Sequence, residues 1–176
     1  MTDIILSGCC GKMGRVISAA VKGRNDCRIV AGVDLVNDCS LDYPVYDSFD
    51  KISEKADVII DFSHPSVLDN LLAFAKKQSI PVVLATTGFS SAQTDKIKAV
   101  SNELPVFFTF NMSLGVNLLV TLSKKAASVL DGNFDIEIVE KHHNQKVDAP
   151  SGTALMIADA IKTVRPETYV HNGRSG

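Results

Sequence analysis

The sequence has little of what nucleic-acid-binding or membrane-spanning proteins require. Its 18 Lys and Arg residues are outnumbered by 20 Asp and Glu residues, which gives a net charge of −2 and no broad basic field for nucleic acid. No apolar run approaches the roughly 20 residues that cross a bilayer. We therefore expect neither nucleic acid nor a membrane as a partner, and small molecules bound by local side-chain clusters instead.

Cysteine is scarce and is not spaced for metal binding. Cys9, Cys10, Cys27 and Cys39 form no CxxC pair, and no histidine lies at zinc-finger spacing from them. The chain runs from Met1 directly into a short apolar segment, without the pattern of a signal peptide. These features predict reduced thiols, no metal and a cytoplasmic location.

Short apolar runs alternate with amphipathic stretches over the first 110 residues. With 176 residues and 45% apolar composition, the chain can bury one good core and a small second unit. Alternating strands and helices indicate right-handed βαβ units and a parallel sheet covered on both faces. We predict an α/β fold in which residues 1–110 form a doubly wound, Rossmann-type dinucleotide-binding domain. Its predicted strands are 4–6, 29–33, 58–62, 82–85 and 106–110, and its predicted helices are 15–22, 66–77 and 92–100.

Residues 111–176 suggest a smaller second domain. Apolar residues at near 3.6-residue spacing predict a long helix from Val116 to Leu130. A strand is expected over 135–139, followed by a polar loop and a helix from about Thr153 to Val164. One strand cannot form a sheet alone. We therefore predict an incomplete α+β domain for substrate binding and oligomerisation.

A glycine-rich loop links the first strand to the first helix. In Gly8-Cys-Cys-Gly-Lys-Met-Gly14 the backbone amides and the helix N-terminus can hold a pyrophosphate, although the GxxGxxG spacing also fits an ordinary turn. Asp34 ends the second strand, where a carboxylate binds the adenosine ribose; the alternative is a solvated strand end. No arginine follows Asp34, which favours NADH over NADPH, although Lys12 or Arg15 could reach a 2′-phosphate.

Two further predicted strand ends carry small and hydroxylated residues. Ligands of open α/β sheets lie outside the carboxyl ends of the strands. The segments 61–64 and 85–89 could therefore approach a nicotinamide ribose, with Thr86-Thr87-Gly88 the stronger candidate. Ordinary turn and N-cap chemistry explains Ser63 equally well.

The polar segment after residue 139 combines acid–base groups with a helix start. Hydride delivery to a carbon that develops negative charge needs a proton source, which His142, His143 or Lys146 can supply. If both histidines continued a strand they would face opposite sides, so one of them would be structural. Asp148 could orient Lys146 or His143.

The helix start itself offers an anion site. Ser151 is a natural N-cap, and the free amides that follow it lie at the positive end of a helix dipole, where a substrate carboxylate would bind. The alternative is that Ser151 only caps its own helix.

Four stretches together resemble the dihydrodipicolinate reductase family of bacterial and plant lysine biosynthesis. They are Gly8–Gly14, Asp61–Ser63, Ala85–Phe89 and, most specifically, Glu140–Ala154. The resemblance implies a Rossmann cofactor domain and a substrate domain whose mixed sheet mediates a homotetramer. It also implies NAD(P)H-dependent reduction of 4-hydroxy-tetrahydrodipicolinate to tetrahydrodipicolinate, a small dicarboxylate, in the diaminopimelate and lysine pathway.

The resemblance also implies a set of site residues. The catalytic residues would be His142 and Lys146, and the carboxylates of the substrate would be held by His143, Gly152 and Thr153 with the Ser151 helix start. The residues at the cofactor would be Gly8, Cys9, Cys10, Gly11, Lys12, Met13, Asp34, Ala85, Thr86, Thr87, Thr109, Phe110, Asn111 and Met112.

Two departures from the family pattern carry expectations. Cys10 stands where family members commonly have glycine, so a change of Cys10 to glycine should leave or improve NADH affinity. The family continues beyond Gly176, so the chain is expected to be truncated.

Two other functions fit parts of the pattern. A relative of aspartate-semialdehyde or homoserine dehydrogenase would keep the dinucleotide domain. An aspartate-semialdehyde dehydrogenase needs a catalytic cysteine beyond the glycine loop, and neither Cys27 nor Cys39 lies at a plausible strand end. A nucleotide-binding module without catalytic activity would have no use for His142, His143 and Lys146.

Overall fold

Six parallel strands form the sheet of the first unit. In the computed structural model, which describes residues 1–36, 40–109, 111–130, 132–144, 146 and 149–173, the chain divides into two units, Met1–Thr109 and Phe110–Gly176. The strands of the first unit are β1 (Thr2–Ser7), β2 (Cys27–Val33), β3 (Val45–Tyr46), β4 (Val58–Asp61), β5 (Val82–Leu84) and β6 (Val106–Phe108), in the order β3-β2-β1-β4-β5-β6. The predicted α/β fold with a doubly wound parallel sheet is confirmed.

Three helices connect these strands. They are α1 (Lys12–Val21), α2 (Leu68–Gln78) and α3 (Ser91–Val100), with short 3-10 turns at Phe49–Lys51 and Pro65–Val67. The α3 helix begins with a capping box, in which the Ser90 hydroxyl accepts from the Gln93 amide and the Gln93 side chain accepts from the Ser90 amide. Each of the three predicted helices is present with bounds shifted by a few residues.

The core lies between the central strands and α2. Ile5, Ile59 and Leu84 come from adjacent strands and are fully buried, as is Leu71 of α2. Because a parallel sheet buries both of its faces, its strands are short continuous apolar runs without polar alternation. This packing holds the carboxyl ends of β1, β4 and β5 side by side, and Ser7 lies opposite Asp61 in the register of β1 and β4.

The second unit contains two described helices. They are α4 (Leu114–Val129) and α5 (Gly152–Lys162), which pack through Ala127, Ile157 and Ile161. The strand predicted over 135–139 was wrong, because these residues form no strand in the structure. The physical reason is that a strand requires a partner backbone, and the described residues of this unit provide none. No helix in the described ranges has both the length and the apolar character needed to span a membrane.

A close contact between the glycine loop and β2 leads to a prediction. A Cβ atom on Gly32 would lie 2.6 Å from Cys9 Sγ and 2.9 Å from Tyr43 Cε2. Gly32→Ala should therefore cost about 1–3 kcal/mol of unfolding free energy by overpacking. Cys9→Ala removes the sulfur, so the double variant should lose less stability than the two single variants combined, as measured by urea unfolding. Strict additivity would show that the two positions do not compete for this space.

Candidate functional site

The glycine loop turns tightly between β1 and α1. Gly8 has a φ of +77°, and a Cβ atom there would lie 2.5 Å from the Phe62 carbonyl oxygen. A Cβ atom on Gly14 would lie 2.2 Å from the Gly8 carbonyl oxygen. Both positions require glycine because other backbone atoms occupy the space that a side chain would need. The loop thus brings the first turn of α1, with the exposed residues Lys12 and Met13, directly against the end of β1.

The two cysteines of this loop have different environments. The Cys9 side chain is fully buried, and burial together with the nearby charge of Asp34 raises the pKa of its thiol to about 11. Cys10 is disulfide-bonded, whereas Cys9 and Cys27 carry free thiols. The expectation of reduced thiols is therefore wrong for Cys10, because spacing along a sequence does not show which sulfur atoms meet in space. Cys39 lies outside the described residues.

The Asp34 side chain is hydrogen-bonded to the glycine loop. Its Oδ2 atom accepts a hydrogen bond of 2.9 Å from the Cys10 amide, and its Oδ1 atom accepts one of 3.1 Å from the Val36 amide. Arg15 donates from Nε to the Cys10 carbonyl oxygen at 3.0 Å. The carboxylate that the sequence assigns to a ribose therefore lies at the loop, together with Gly11, which is the N-cap of α1.

A cavity of about 600 Å³ opens beside this loop. It is lined by Gly8, Gly11, Asp34, Asp47, Ser63 and His64, among others, and no lysine or arginine of the described residues lines it. Asp47 lies 2.8 Å from Lys51 Nζ, so its charge is partly balanced outside the cavity wall. The cavity therefore presents carboxylates and hydroxyls to a ligand and offers no counter-charge to an additional phosphate.

The ends of β4 and β5 meet at a buried carboxylate. Asp61 is 2% exposed; its Oδ1 atom accepts from Ser63 Oγ at 2.5 Å and its Oδ2 atom accepts from Thr86 Oγ1 at 2.7 Å. The Ala85 amide donates to the Asp61 carbonyl oxygen at 3.0 Å. Thr86 is thus held internally, while Thr87 is exposed. The sequence analysis quoted Asp61 in a motif without giving it a role; its position at a strand end was the available signal.

The residues that follow β6 form hydrogen bonds within each of the two units. In the first unit, the Thr109 amide donates to the Leu84 carbonyl oxygen at 3.1 Å. In the second unit, Asn111 Nδ2 donates to Thr153 Oγ1 at 3.1 Å. A hydrogen bond therefore links Asn111, predicted for the nicotinamide side, to Thr153, predicted for the substrate side. Met112 is 47% exposed. Phe110 lies outside the described residues.

Ser151 begins α5 and also binds a carboxylate of the protein. Its hydroxyl accepts from the Ala154 amide at 3.1 Å, which caps the helix. The same hydroxyl donates to Glu140 Oε2 at 2.5 Å, and the Ser151 amide donates to Glu140 Oε1 at 2.9 Å. Glu140 therefore occupies the position at Ser151 where a substrate carboxylate was expected. The amides of Gly152 and Thr153 have no acceptor within the described parts of the chain.

Glu140 also lies near His142 and Lys146, two of the predicted acid–base groups. His142 Nδ1 lies 3.6 Å from Glu140 Oε2, and the charges of His142 and Lys146 both lower the pKa of Glu140. The Lys146 amide donates to the His143 carbonyl oxygen at 3.2 Å. His142 and His143 are exposed, and Lys146 is partly buried. Sequence reasoning gave Glu140 no role, although it begins the most specific motif. Asp148 lies outside the described residues.

The hydrogen bonds at Glu140 predict a pH dependence. The pKa of Glu140 is lowered, first by the Ser151 hydroxyl and then by the Ser151 amide. A carboxyl whose pKa falls on folding stabilises the fold fully above its unfolded pKa of about 4.3, and this contribution is lost as the pH falls through the folded value. The difference in unfolding midpoint between the wild type and Glu140→Gln should therefore be largest near neutral pH and shrink below about pH 4. An NMR titration of the Ser151 amide whose midpoint lies at or above the ordinary glutamate value would contradict this assignment.

Comparisons with known proteins point to one family. Residues 2–112 match the family model described as dihydrodipicolinate reductase, N-terminus, and residues 115–175 match the one described as dihydrodipicolinate reductase, C-terminus. The 4-hydroxy-tetrahydrodipicolinate reductase of Clostridium novyi (strain NT) is 49% identical over 177 residues, covering 100% of this chain and 70% of that protein. The enzyme of the same name from Caldanaerobacter subterraneus subsp. tengcongensis is 53% identical over 167 residues, covering 95% of this chain and 66% of that protein.

Solved structures give a consistent result. A dipicolinate-bound dihydrodipicolinate reductase from Paenisporosarcina sp. TG-14 superposes with a TM-score of 0.78 at 27% identity, covering 100% of this chain and 71% of that one. A myo-inositol 2-dehydrogenase from Lactobacillus plantarum superposes with a TM-score of 0.56 at 14% identity over 71% of this chain and 41% of that one, which is a likeness of fold alone. The chain thus spans about two thirds of the length of the curated relatives that it matches.

Proposed function

The chain belongs to the dihydrodipicolinate reductase family, and from this premise we propose that it acts in the NAD(P)H-dependent reduction of 4-hydroxy-tetrahydrodipicolinate to tetrahydrodipicolinate. The observation that carries the proposal is the cluster of Glu140, His142, Lys146 and Ser151 at the start of α5. A module that only bound a nucleotide would need the glycine loop but not this cluster. Reduction of a dicarboxylate needs both.

The proposed roles follow from charge and proton chemistry. When bound, NAD(P)H would supply a hydride to an electron-poor ring carbon of the substrate, whose 4-hydroxyl group leaves as water. Lys146 and the amides of Gly152 and Thr153 neutralise the substrate carboxylates, and His143 adds to this anion site. His142 supplies the proton to the developing enamine, directly or through a water molecule that it orients. Lys146 is a second proton donor.

Glu140 supports these groups and does not take part in the reaction itself. Its carboxylate lies 3.6 Å from His142 Nδ1 and limits the orientations of the imidazole ring. Its two hydrogen bonds to Ser151 fix the start of α5. The same carboxylate therefore holds the proton donor and the amides of the anion site in one arrangement, which supports Ser151 as a residue that shapes the substrate site.

For the cofactor, NADH is the proposed preference. Asp34 can accept hydrogen bonds from the 2′- and 3′-hydroxyls of an adenosine ribose, whereas a 2′-phosphate would meet its negative charge. Asp47 adds a second carboxylate to the same cavity, and its lining among the described residues includes neither lysine nor arginine. Gly8 to Met13 would hold the pyrophosphate, and Ala85, Thr86, Thr87, Thr109, Phe110, Asn111 and Met112 would lie on the nicotinamide side.

The experiment that tests the proposed function is a coupled assay. The substrate is generated in place by its synthase, and oxidation of NADH and of NADPH by the 176-residue chain is followed by absorbance. Turnover with a higher kcat/KM for NADH supports both the reaction and the preference. A higher value for NADPH overturns the preference alone. If there is no turnover and neither dinucleotide binds, the proposed function fails.

Self-association is proposed for the longer protein. The helix α4 exposes Leu118, Leu119 and Leu122 by half or more, which is unusual for a helix face that meets only water. A second copy of the chain is the proposed occupant of this face, in addition to the mixed-sheet interface of the homotetramer that the resemblance implies. Sedimentation of the wild type and of a Leu118→Glu variant tests this, and identical monomeric profiles would contradict it.

A further inference from the structure

Asp61 is a buried carboxylate with an unusual set of partners. It lies at the carboxyl end of β4, is 2% exposed, and takes part in none of the ion pairs formed by the described residues. Burial of a charge without a cation is costly, so its hydrogen bonds must offset the lost solvation. Those bonds come from the hydroxyls of Ser63 and Thr86. Stability alone does not explain a carboxylate at this position.

The direction of these two hydrogen bonds has a chemical consequence. Both hydroxyls donate to the Asp61 carboxyl oxygens, so both hydroxyl protons point toward Asp61. Each hydroxyl oxygen then has only lone pairs left for any other partner. Ser63 lines the cavity beside the glycine loop, whereas Thr86 is buried. The Ser63 hydroxyl therefore offers the cavity a hydrogen-bond acceptor and no donor.

We infer that Asp61 is a positioning residue that makes Ser63 Oγ a dedicated hydrogen-bond acceptor for a donor group of the dinucleotide, a ribose hydroxyl or the carboxamide N–H. Through Thr86 the same carboxylate anchors the loop that follows β5, and so sets the distance between the two strand ends. This inference rests on the proposed function and assigns a role within its cofactor site.

The test compares dinucleotide binding by the wild type and by Asp61→Asn. Asparagine has nearly the same shape, but its amide group donates, so one of the two hydroxyls can turn its proton toward the cavity. Loss of one well-placed hydrogen bond should weaken NADH binding about tenfold in a fluorescence titration. Asp57→Asn is the matched control, since it makes the same chemical change at the residue that precedes β4, where the exposed Asp57 side chain accepts from the Asp3 amide.

A double-variant cycle separates positioning from simple structural support. If Asp61 acts through Ser63, then Asp61→Asn should have little further effect on affinity once Ser63 is alanine. Thr86→Val removes the second hydroxyl at nearly constant shape and keeps the cycle informative if Asp61→Asn folds poorly. Additive effects, or a loss of affinity that only follows a fall in Tm, would overturn the inference.

An analogue identifies which donor is bound. In the 3-acetylpyridine analogue of NADH, a methyl group replaces the amide NH₂. If the carboxamide is the donor, the wild type prefers NADH to the analogue and Asp61→Asn does not. If a ribose hydroxyl is the donor, the variant binds both about tenfold more weakly and retains the wild-type ratio. If variant and wild type bind both compounds with equal affinity, the inference is wrong but the proposed function stands. If the wild type binds no dinucleotide, both the inference and the proposed function are wrong.

Discussion

Replacement of Lys146 by alanine should reduce kcat by about 10²–10⁴ while the dissociation constant for NADH changes little. After the two hydrogen bonds from Ser151, the charge of Lys146 also lowers the pKa of Glu140, and Lys146 is partly buried. In the proposed mechanism, loss of this charge removes both a partner of a substrate carboxylate and a proton donor. The coupled assay gives kcat, and a fluorescence titration gives the affinity for NADH.

The neighbouring Lys141 provides the control for this experiment. It is exposed, belongs to the same polar segment and carries the same charge, so Lys141→Ala changes the net charge equally. That variant should keep the wild-type kcat within about twofold, since an exposed charge is screened by solvent. Equal losses in the two variants would show that general electrostatic attraction of the substrate, and not Lys146 itself, determines the rate. Wild-type turnover in Lys146→Ala would contradict the proposed role of Lys146, whereas absence of turnover in the wild type would favour the binding module without catalytic activity.

Replacement of Gly8 by alanine should have the largest effect on stability. Its φ of +77° strains any residue with a Cβ atom, and that atom would lie 2.5 Å from the Phe62 carbonyl oxygen and 3.0 Å from Ser63 Cα. Backbone cannot move aside as a flexible side chain can. The two effects together should cost about 3 kcal/mol or more, measured by urea unfolding, and should abolish dinucleotide binding.

Gly23 separates the two contributions. Its φ of +84° is similar, but no atom lies within 4 Å of the Cβ atom that alanine would add. Gly23→Ala should therefore show only the conformational strain, about 1 kcal/mol. If Gly8→Ala costs no more than Gly23→Ala, the glycine loop has room to move, and its close approach to the end of β4 is not required.

The periodicity of the sequence was sufficient for most of the sheet but not for its edge or for the second unit. Runs such as Ile4-Ile5-Leu6 are apolar because both faces of a parallel strand are covered, and this signal is local. β3 has two residues, Val45 and Tyr46, which is too short for any period to show. The error over 135–139 has a different origin: the apolar pattern there was real, but a strand also depends on a partner that no local pattern reveals.

The candidate site shows the same division between local and spatial information. Residue types and order indicated the glycine loop, Asp34 and the histidines with Lys146. Hydrogen bonds across the fold were not visible in this way. Ser151 was interpreted through its helix, yet its hydroxyl and amide also bind Glu140, eleven residues earlier. Asp61 binds Thr86, which lies in the loop that follows β5, and the parallel register of β4 and β5 brings the two residues together.

The central position of β1 has a consequence for synthesis on the ribosome. β1 is made first, but Ile4 pairs with Ile29 of β2 on one side and with Val58 of β4 on the other. At roughly 5–20 residues per second, several seconds pass before β4 has been made. During that time an Ile-Ile-Leu segment of the nascent chain lacks one neighbour and is exposed to chaperones and to other unfolded chains. The strand that holds the glycine loop in the finished protein is thus the segment most in need of protection while the protein is being made.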